Sequence, residues 1–259
     1  SASTSASTAK LDRPVEALKY IPALSPISAS GQNLDQLWSG ISKVQYGNLS
    51  QLVNQPIAAL QSRWNLNLPQ DIFKWVKSEY ALALVPNDET LDWVFVADKS
   101  ADPEAEAAIA HLDDLAKSQG ISSGSINLGD QPISVWTKFG TATQSKIEAE
   151  VTGVHTSIGK YEIFATSINA MNAVLNANKN TLISAKEFSA AIAPLQKTNN
   201  GYLFLDWQKA QPIIESRFPL IKVIELTGQP FFDHLRSLTI SNYGNQSGVQ
   251  RGGVFVQLS

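Results

Sequence analysis

Tyr80-Ala81-Leu82-Ala83-Leu84-Val85-Pro86-Asn87-Asp88, followed by Trp93-Val94-Phe95-Val96-Ala97, is the stretch on which the fold turns. Two apolar runs of strand length flank Pro-Asn-Asp, residues whose fixed φ and short polar side chains favour a reversal. The pattern predicts a strand, a turn and a second strand. It recurs. Residues 151–158 and 161–165 flank Gly159-Lys160, a tight two-residue hairpin signal. Residues 238–242 and 253–258 flank a polar Gly/Asn/Gln/Ser loop, and residues 133–138 and 202–205 read as further strands. Hairpins outnumber strand–helix–strand crossovers, so the sheet is expected to be mainly antiparallel.

Helical periodicity appears between these strands. Asp102 reads as an N-cap and Pro103 as a first-turn proline. Ala105, Ala108, Ile109, Leu112 and Leu115 then share one face, with Glu104, His111 and Asp114 opposite. Ser167 caps a helix that turns Ile168, Met171, Val174 and Leu175 inward. Ser184 and Glu187 have capping-box spacing ahead of Phe188, Ala191, Ile192 and Leu195. Nearer the start, Asn33 precedes Leu34, Leu37, Trp38 and Ile41. Ser50 precedes Leu52, Val53, Ile57, Leu60 and Trp64, with Pro56 as a distortion. The expected fold is α+β: a mainly antiparallel sheet covered on one side by helices.

A weak repeat runs through this plan. Ile72, Phe73, Val76, Lys77 and Ser78 lead into the first hairpin. Phe231, Phe232, Leu235, Arg236 and Ser237 lead into the last. A helix docked on a hairpin, used twice, with Phe73 and Phe232 each turned in against the sheet, implies two related halves with a boundary near residues 140–150. Residues 1–13 read as a flexible leader and 14–259 as the α+β domain.

Composition narrows the classes. The 259 residues carry a net charge of −3 and no basic run, so nothing draws the chain to nucleic acid. With no cysteine there is no disulfide, thiolate nucleophile or thiolate metal ligand. No stretch of about 18 apolar residues occurs to span a bilayer. The run Ser1-Ala2-Ser3-Thr4-Ser5-Ala6-Ser7-Thr8-Ala9 cannot bury enough apolar area to order itself. It reads as a linker behind a removed signal peptide or membrane anchor, the alternative being a cloning boundary.

Several of these segments, taken in order, resemble one family. They are Ala17-Leu18-Lys19-Tyr20-Ile21-Pro22, Asp71-Ile72-Phe73-Lys74-Trp75 with Ala81-Leu82-Ala83-Leu84, residues 93–96, and the Asp-Pro-Glu-Ala-Glu helix start. Tyr161-Glu162-Ile163-Phe164-Ala165-Thr166-Ser167 and His234-Leu235-Arg236-Ser237-Leu238-Thr239, running to Gly253-Val254-Phe255-Val256, complete the set. The chain from about Leu18 onward is similar to the bacterial group, common in cyanobacteria, catalogued as domain of unknown function three-three-five-two. The resemblance implies an exported protein, often tethered by an N-terminal membrane segment, and supplies no catalytic residue to carry over. Residues 23–30 depart from it, since the family has a more apolar first strand there.

No residue qualifies as a catalytic, cofactor or metal site. His111 and Asp114 lie one helical turn apart, on the polar face expected to be solvated. Asp233 and His234 are adjacent on a helix and point about 100° apart, which argues against a carboxylate-oriented general base. His155, in a strand with Gly153 and Ser157 and no evident acidic neighbour, reads as a surface or edge residue. Glu104, Glu106, Asp113 and Asp114 share a helix that reads as solvated rather than as a cation site. Gly252-Gly253 reads as a bulge or close packing rather than a phosphate cradle. Asn48-Leu49-Ser50 and Asn245-Gln246-Ser247 fit the glycosylation pattern, which carries little weight in a bacterium. No G-x-S-x-G, Walker or G-x-G-x-x-G pattern is present. Of the six tryptophans, Trp38, Trp64 and Trp75 fall on core stripes, while Trp93, Trp136 and Trp207 sit at element edges.

The function expected from these features is non-catalytic: an exported envelope or thylakoid-lumen protein that binds or scaffolds, with an unidentified protein partner or hydrophobic ligand and no cofactor. Its membrane link is expected only through an N-terminal anchor. Two alternatives stand beside it: a carrier of a lipid or pigment in an aromatic-lined hollow, and a hydrolase whose carboxylates meet only in the fold. A continuous aromatic cavity would favour the carrier, an exposed apolar patch the scaffold, and a cleft gathering histidine and carboxylates the enzyme.

Overall fold

A computed structural model describes residues 11–35, 38, 58–87, 90–140, 148–217, 229–246 and 249–259. The expectations placed on residues 1–10 of the leader, on Leu37, Ile41, Ser50, Leu52, Val53, Pro56 and Ile57, on Asp88, on Asn48-Leu49-Ser50 and on Ser247 lie outside those residues; Leu11, placed in the leader, is buried and exchanges backbone hydrogen bonds with Asn199. Among the described residues ten strands form one antiparallel sheet: β1 (Ile27–Gln32), β2 (Glu79–Asn87), β3 (Thr90–Asp98), β4 (Ile121–Leu128), β5 (Gln131–Gly140), β6 (Glu148–Ile158), β7 (Tyr161–Ala165), β8 (Gly201–Asp206), β9 (Leu235–Gln246) and β10 (Val249–Leu258). Their order is β10-β9-β8-β1-β2-β3-β7-β6-β5-β4. The helices are residues 58–64 (α1), α2 (Leu68–Asp71), α3 (Ala105–Ser118), α4 (Ile168–Leu175), α5 (Lys186–Ile192), α6 (Trp207–Arg217) and α7 (Gln229–His234).

Helices cover both faces of the sheet, not one, because the strands bury both faces. In β3, Val94 and Val96 enter one core while Phe95 and Ala97 enter the other; in β7, Ile163 and Ala165 oppose Phe164 in the same way. The first core lies under α4 and α5 and includes Met171, Val174, Phe188, Tyr202 and Phe204. The second lies under α1, α2 and α3 and includes Trp64, Trp75, Phe95, Ile109, Leu112, Trp136 and Phe164. Near-continuous apolar strands of this kind bury on both sides.

Each expected hairpin is present, and Gly159 has the positive φ of 57° that the tight turn between β6 and β7 requires. Two strands escaped the sequence pattern. β4 reads Ile-Ser-Ser-Gly-Ser-Ile-Asn-Leu and is an edge strand, so its polar residues face water. β1 lies between β2 and β8 although its sequence is Ile-Ser-Ala-Ser-Gly-Gln. The close fit at its end explains the small residues: a Cβ on Gly201 would stand 1.9 Å from the Ser30 carbonyl oxygen.

The Ser184–Glu187 capping box does not form. Ala185 is the N-cap of α5, and the Ser184 hydroxyl meets that of Thr181 at 3.2 Å. Ser167 does cap α4, accepting from the Ala170 N–H at 3.0 Å; Asp102 accepts from the Glu104 N–H, but the N-cap of α3 is Glu104, so Asp102 and Pro103 both lie ahead of the helix. Phe73 is buried, whereas Phe232 is only half-buried and Phe231 is 46% exposed, so the second of the two helix–hairpin units lacks the inward stripe expected of it. Residues 140 and 148 close β5 and open β6, which are paired neighbours in the one sheet.

Candidate functional site

The structure gathers histidine and carboxylates at a place the sequence did not mark. β6 alternates Val154 into the first core and Gly153 and His155 toward the second. A Cβ on Gly153 would stand 2.8 Å from Trp64 Nε1 and 3.0 Å from the Trp136 ring, so the glycine makes room for two indoles beside the histidine. His155 is itself buried, 5% exposed, and not the surface or edge residue expected. Its ring packs against Phe164 with centroids 5.5 Å apart and against Trp136 at 5.3 Å.

Two acids bracket it. Nδ1 donates to Glu162 Oε1 at 2.7 Å, and Nε2 faces Asp113 Oδ1 at 3.3 Å. Glu162 comes from β7, directly opposite Ser157, whose hydroxyl donates to its second oxygen. Asp113 comes from α3, and its Oδ1 also receives Trp136 Nε1 at 2.7 Å and the Ser123 hydroxyl at 3.0 Å. One carboxylate oxygen on the helix thus collects donors from β4, β5 and β6. Asp113 was expected on a solvated face; its side chain is only 25% exposed and faces the sheet. His111 and Asp114 do face solvent as expected.

Burial by itself would lower the pKa of His155, but the bonds to Asp113 and Glu162 outweigh it and push it from 6.5 up to about 9. The bond from His155 is the main reason that the Asp113 carboxyl is held well below the usual carboxylate range; burial opposes this, and the Trp136 and Ser123 donors add to it. Lys99, 10% exposed, lies 2.6 Å from Glu106 on α3 and 3.7 Å from Glu162. At neutral pH the centre is therefore an imidazolium between two carboxylates. Both ring nitrogens are committed, so His155 has no lone pair to take a proton from a substrate.

The remaining residues singled out from sequence do not converge with it. His234 is exposed and meets the Ser259 hydroxyl at 3.2 Å. Gly252 and Gly253 lie within β10, where the register shifts between Arg251 and Gly252, which fits the bulge reading. Among the described residues no group of three or more His, Asp and Glu could hold a metal. Trp136 and Trp207, expected at element edges, are buried. Trp64 packs on both Trp136 and Phe164 in the second core. An open cleft of about 450 Å³ lies elsewhere, lined by Ala23, Leu24, Lys179, Lys186, Glu187 and Lys209 among others, and it is not aromatic.

A second surface feature stands apart. On the face that carries the second core, cross-strand neighbours form a row: Phe95, Leu82, Ala29, Leu203, Ile240, Val254. A parallel row runs Trp93, Leu84, Ile27, Leu205, Leu238, Val256. Over β2 and β3 these rows meet the second core. Over β8 to β10 they open, and Leu203, Ile240, Val254 and Val256 are 43%, 39%, 66% and 38% exposed.

A family model described as "Protein of unknown function (DUF3352)" matches residues 1–258. The chain belongs to the DUF3352 family. No curated protein matches this DUF3352 member in sequence. A solved chain described as "Structure of crystal form III of TP0453" overlaps it with a TM-score of 0.45 and 13% identity, covering 94% of this chain and 80% of that one. That overlap bears on neither ligand nor activity.

Proposed function

We propose that this DUF3352 member is an exported, non-catalytic binding or scaffolding protein that engages a protein partner through the open apolar face of β8, β9 and β10. The observation that carries this reading is the pair of cross-strand rows ending in Leu203–Ile240–Val254 and Leu205–Leu238–Val256. The rows hold no charged or polar side chain, and four of the six residues are more than a third exposed. Exposed contiguous apolar surface of this kind marks interaction sites. A small apolar ligand needs a concave site that encloses most of its surface. A flat aliphatic sheet face instead matches another flat face, as in packed sheets. The occupant is accordingly an uncharged, apolar face of another protein. Export rests on the Ser/Ala/Thr composition of residues 1–9 and on the family resemblance. Two related halves belong to the same proposal; the order strand, helices, hairpin in β1 to β3 and again in β8 to β10 supports them.

A photo-crosslinking residue at position 254 of the full-length protein, in its native cells, tests the binding reading. A discrete protein adduct that disappears with Ile240→Lys supports it. Adducts to lipid alone, or none, overturn it. Fractionation tests the export reading separately, and recovery of the protein in the cytosol ends it.

A further inference from the structure

The binding reading makes no use of the buried bridge between α3 and the sheet. We propose that Asp113–His155–Glu162 is a proton-dependent clamp, which locks α3 onto the sheet while His155 carries its second ring proton and releases the C-terminal half of α3 when that proton leaves.

The geometry makes the two sides of the bridge unequal. A neutral imidazole has one N–H, and between two carboxylates it can serve only one of them. The other carboxylate then faces a ring lone pair. Glu162 holds the stronger claim: its bond is 2.7 Å, its side chain is 1% exposed, and Ser157 and Lys99 lie at its second oxygen. Asp113 is 3.3 Å away and 25% exposed, so water can replace the imidazole there. The proton that remains stays on Nδ1 toward Glu162, and the contact that fails is the one from His155 to the helix, which leaves Asp113 held by the Trp136 and Ser123 donors alone.

The other charges around the bridge restrict the release to one end of α3. Lys99 ties Glu106, in the first turn, to Glu162. Arg63 of α1 donates to the carbonyls of Thr152 and Thr166. His111 and Asp114 on α3 point to solvent. Trp64, Trp136 and Phe164 bring no charge. With the first turn held, loosening belongs to the segment around Asp113, Leu112 and Ala116, which covers the second core. The raised pKa of His155, about 9, places the change on the alkaline side of neutrality.

Amide hydrogen exchange on the full chain from pH 6 to 10, corrected for intrinsic rates, reads the clamp directly. α4, on the opposite face of the sheet, is the internal control. The expected result is that opening around residues 111–118 rises on the order of tenfold or more relative to α4 as His155 deprotonates. In His155→Gln, which cannot titrate, that pH response disappears. Parallel behaviour of α3 and α4 in the wild type, or an unchanged response in His155→Gln, overturns the proposal. Should that variant not fold, Asp113→Asn gives the second arm. It keeps an acceptor oxygen for Trp136 and Ser123, and it is expected to lower the His155 titration midpoint, followed by the ring proton resonance, by about one unit or more. An unmoved midpoint also overturns the proposal.

Discussion

His155 shows how far a single residue's role depends on chain segments distant in sequence. Its partner on the strand side went unread, since His155 reads as having no acidic neighbour, although the hairpin signal implies one. A two-residue turn at Gly159-Lys160 fixes Ser157 opposite Glu162, which places Glu162 diagonal to His155 on the same face. Its partner on the helix side was not legible, because which face of α3 meets the sheet depends on packing that periodicity does not specify: Asp113 borders the apolar stripe and could have pointed either way. Removing the ring leaves the buried Glu162 and the partly exposed Asp113 without their shared cation. His155→Ala is expected to cost about 3–5 kcal/mol, while His234→Ala, at an exposed position, stays within about 0.5 kcal/mol; urea melts of both variants compare them. The pH dependence has a definite sign. The folded pKa of His155 is raised, so its contribution is full below about 6.5 and is lost as pH rises through about 9. The Asp113 pKa is lowered, so its contribution is full above about 3.8 and is lost as pH falls. The stability gap between wild type and His155→Gln is therefore expected to be widest between about pH 4 and 6.5 and to narrow by pH 9, read from denaturation midpoints across that range.

At the scale of elements, hairpins were readable because turn chemistry and apolar runs coincide in sequence, and α3 and α4 because their stripes have helical period. β4 was not, since an edge strand with mostly exposed side chains has no apolar alternation to show. The capping box failed because residues 182–184 form a 3-10 turn and Ala185 takes the cap position. Phe188 and Phe232 were both read as inward, yet only Phe188 is fully buried, edge-on to Phe204 at 5.3 Å. Phe188→Ala is expected to cost about 3–5 kcal/mol, and the half-buried Phe232→Ala about 1–2 kcal/mol, in thermal or denaturant melts. Gly153→Ala forces a methyl against Trp64 and Trp136 and is expected to cost about 1–3 kcal/mol with a change in near-ultraviolet circular dichroism. An unchanged spectrum and midpoint would show that the indoles can move aside.

For the whole molecule, the α+β class and the antiparallel sheet could be read from sequence, but the cover on both faces could not. Alternating apolar residues show that a strand buries one face; they do not show what lies on the other. The open apolar rows were likewise hidden, because Leu203, Ile240 and Val254 acquire their common surface only through the register of three strands. Val254→Lys is expected to change stability by less than about 0.5 kcal/mol, since the side chain is already 66% exposed. It should also lower binding of an apolar dye such as ANS. A dye signal equal to wild type would place the apolar surface elsewhere.

The central position of β1 bears on how the chain matures as it is synthesised. β1 leaves the ribosome early and can pair with β2, but its other edge is filled by β8, which lies beyond residue 200. Until then a nascent chain carries a complete hairpin region beside one bare strand edge, the arrangement most prone to pairing with a neighbouring chain. The segment that waits is Ser28-Ala29-Ser30-Gly31, which offers a stray strand little apolar surface to grip. The weak strand signal in the middle of the sheet is thus suited to a seam that closes last. A chain truncated before residue 201 should aggregate through β1, and a peptide spanning residues 201–206, supplied in trans, should suppress it.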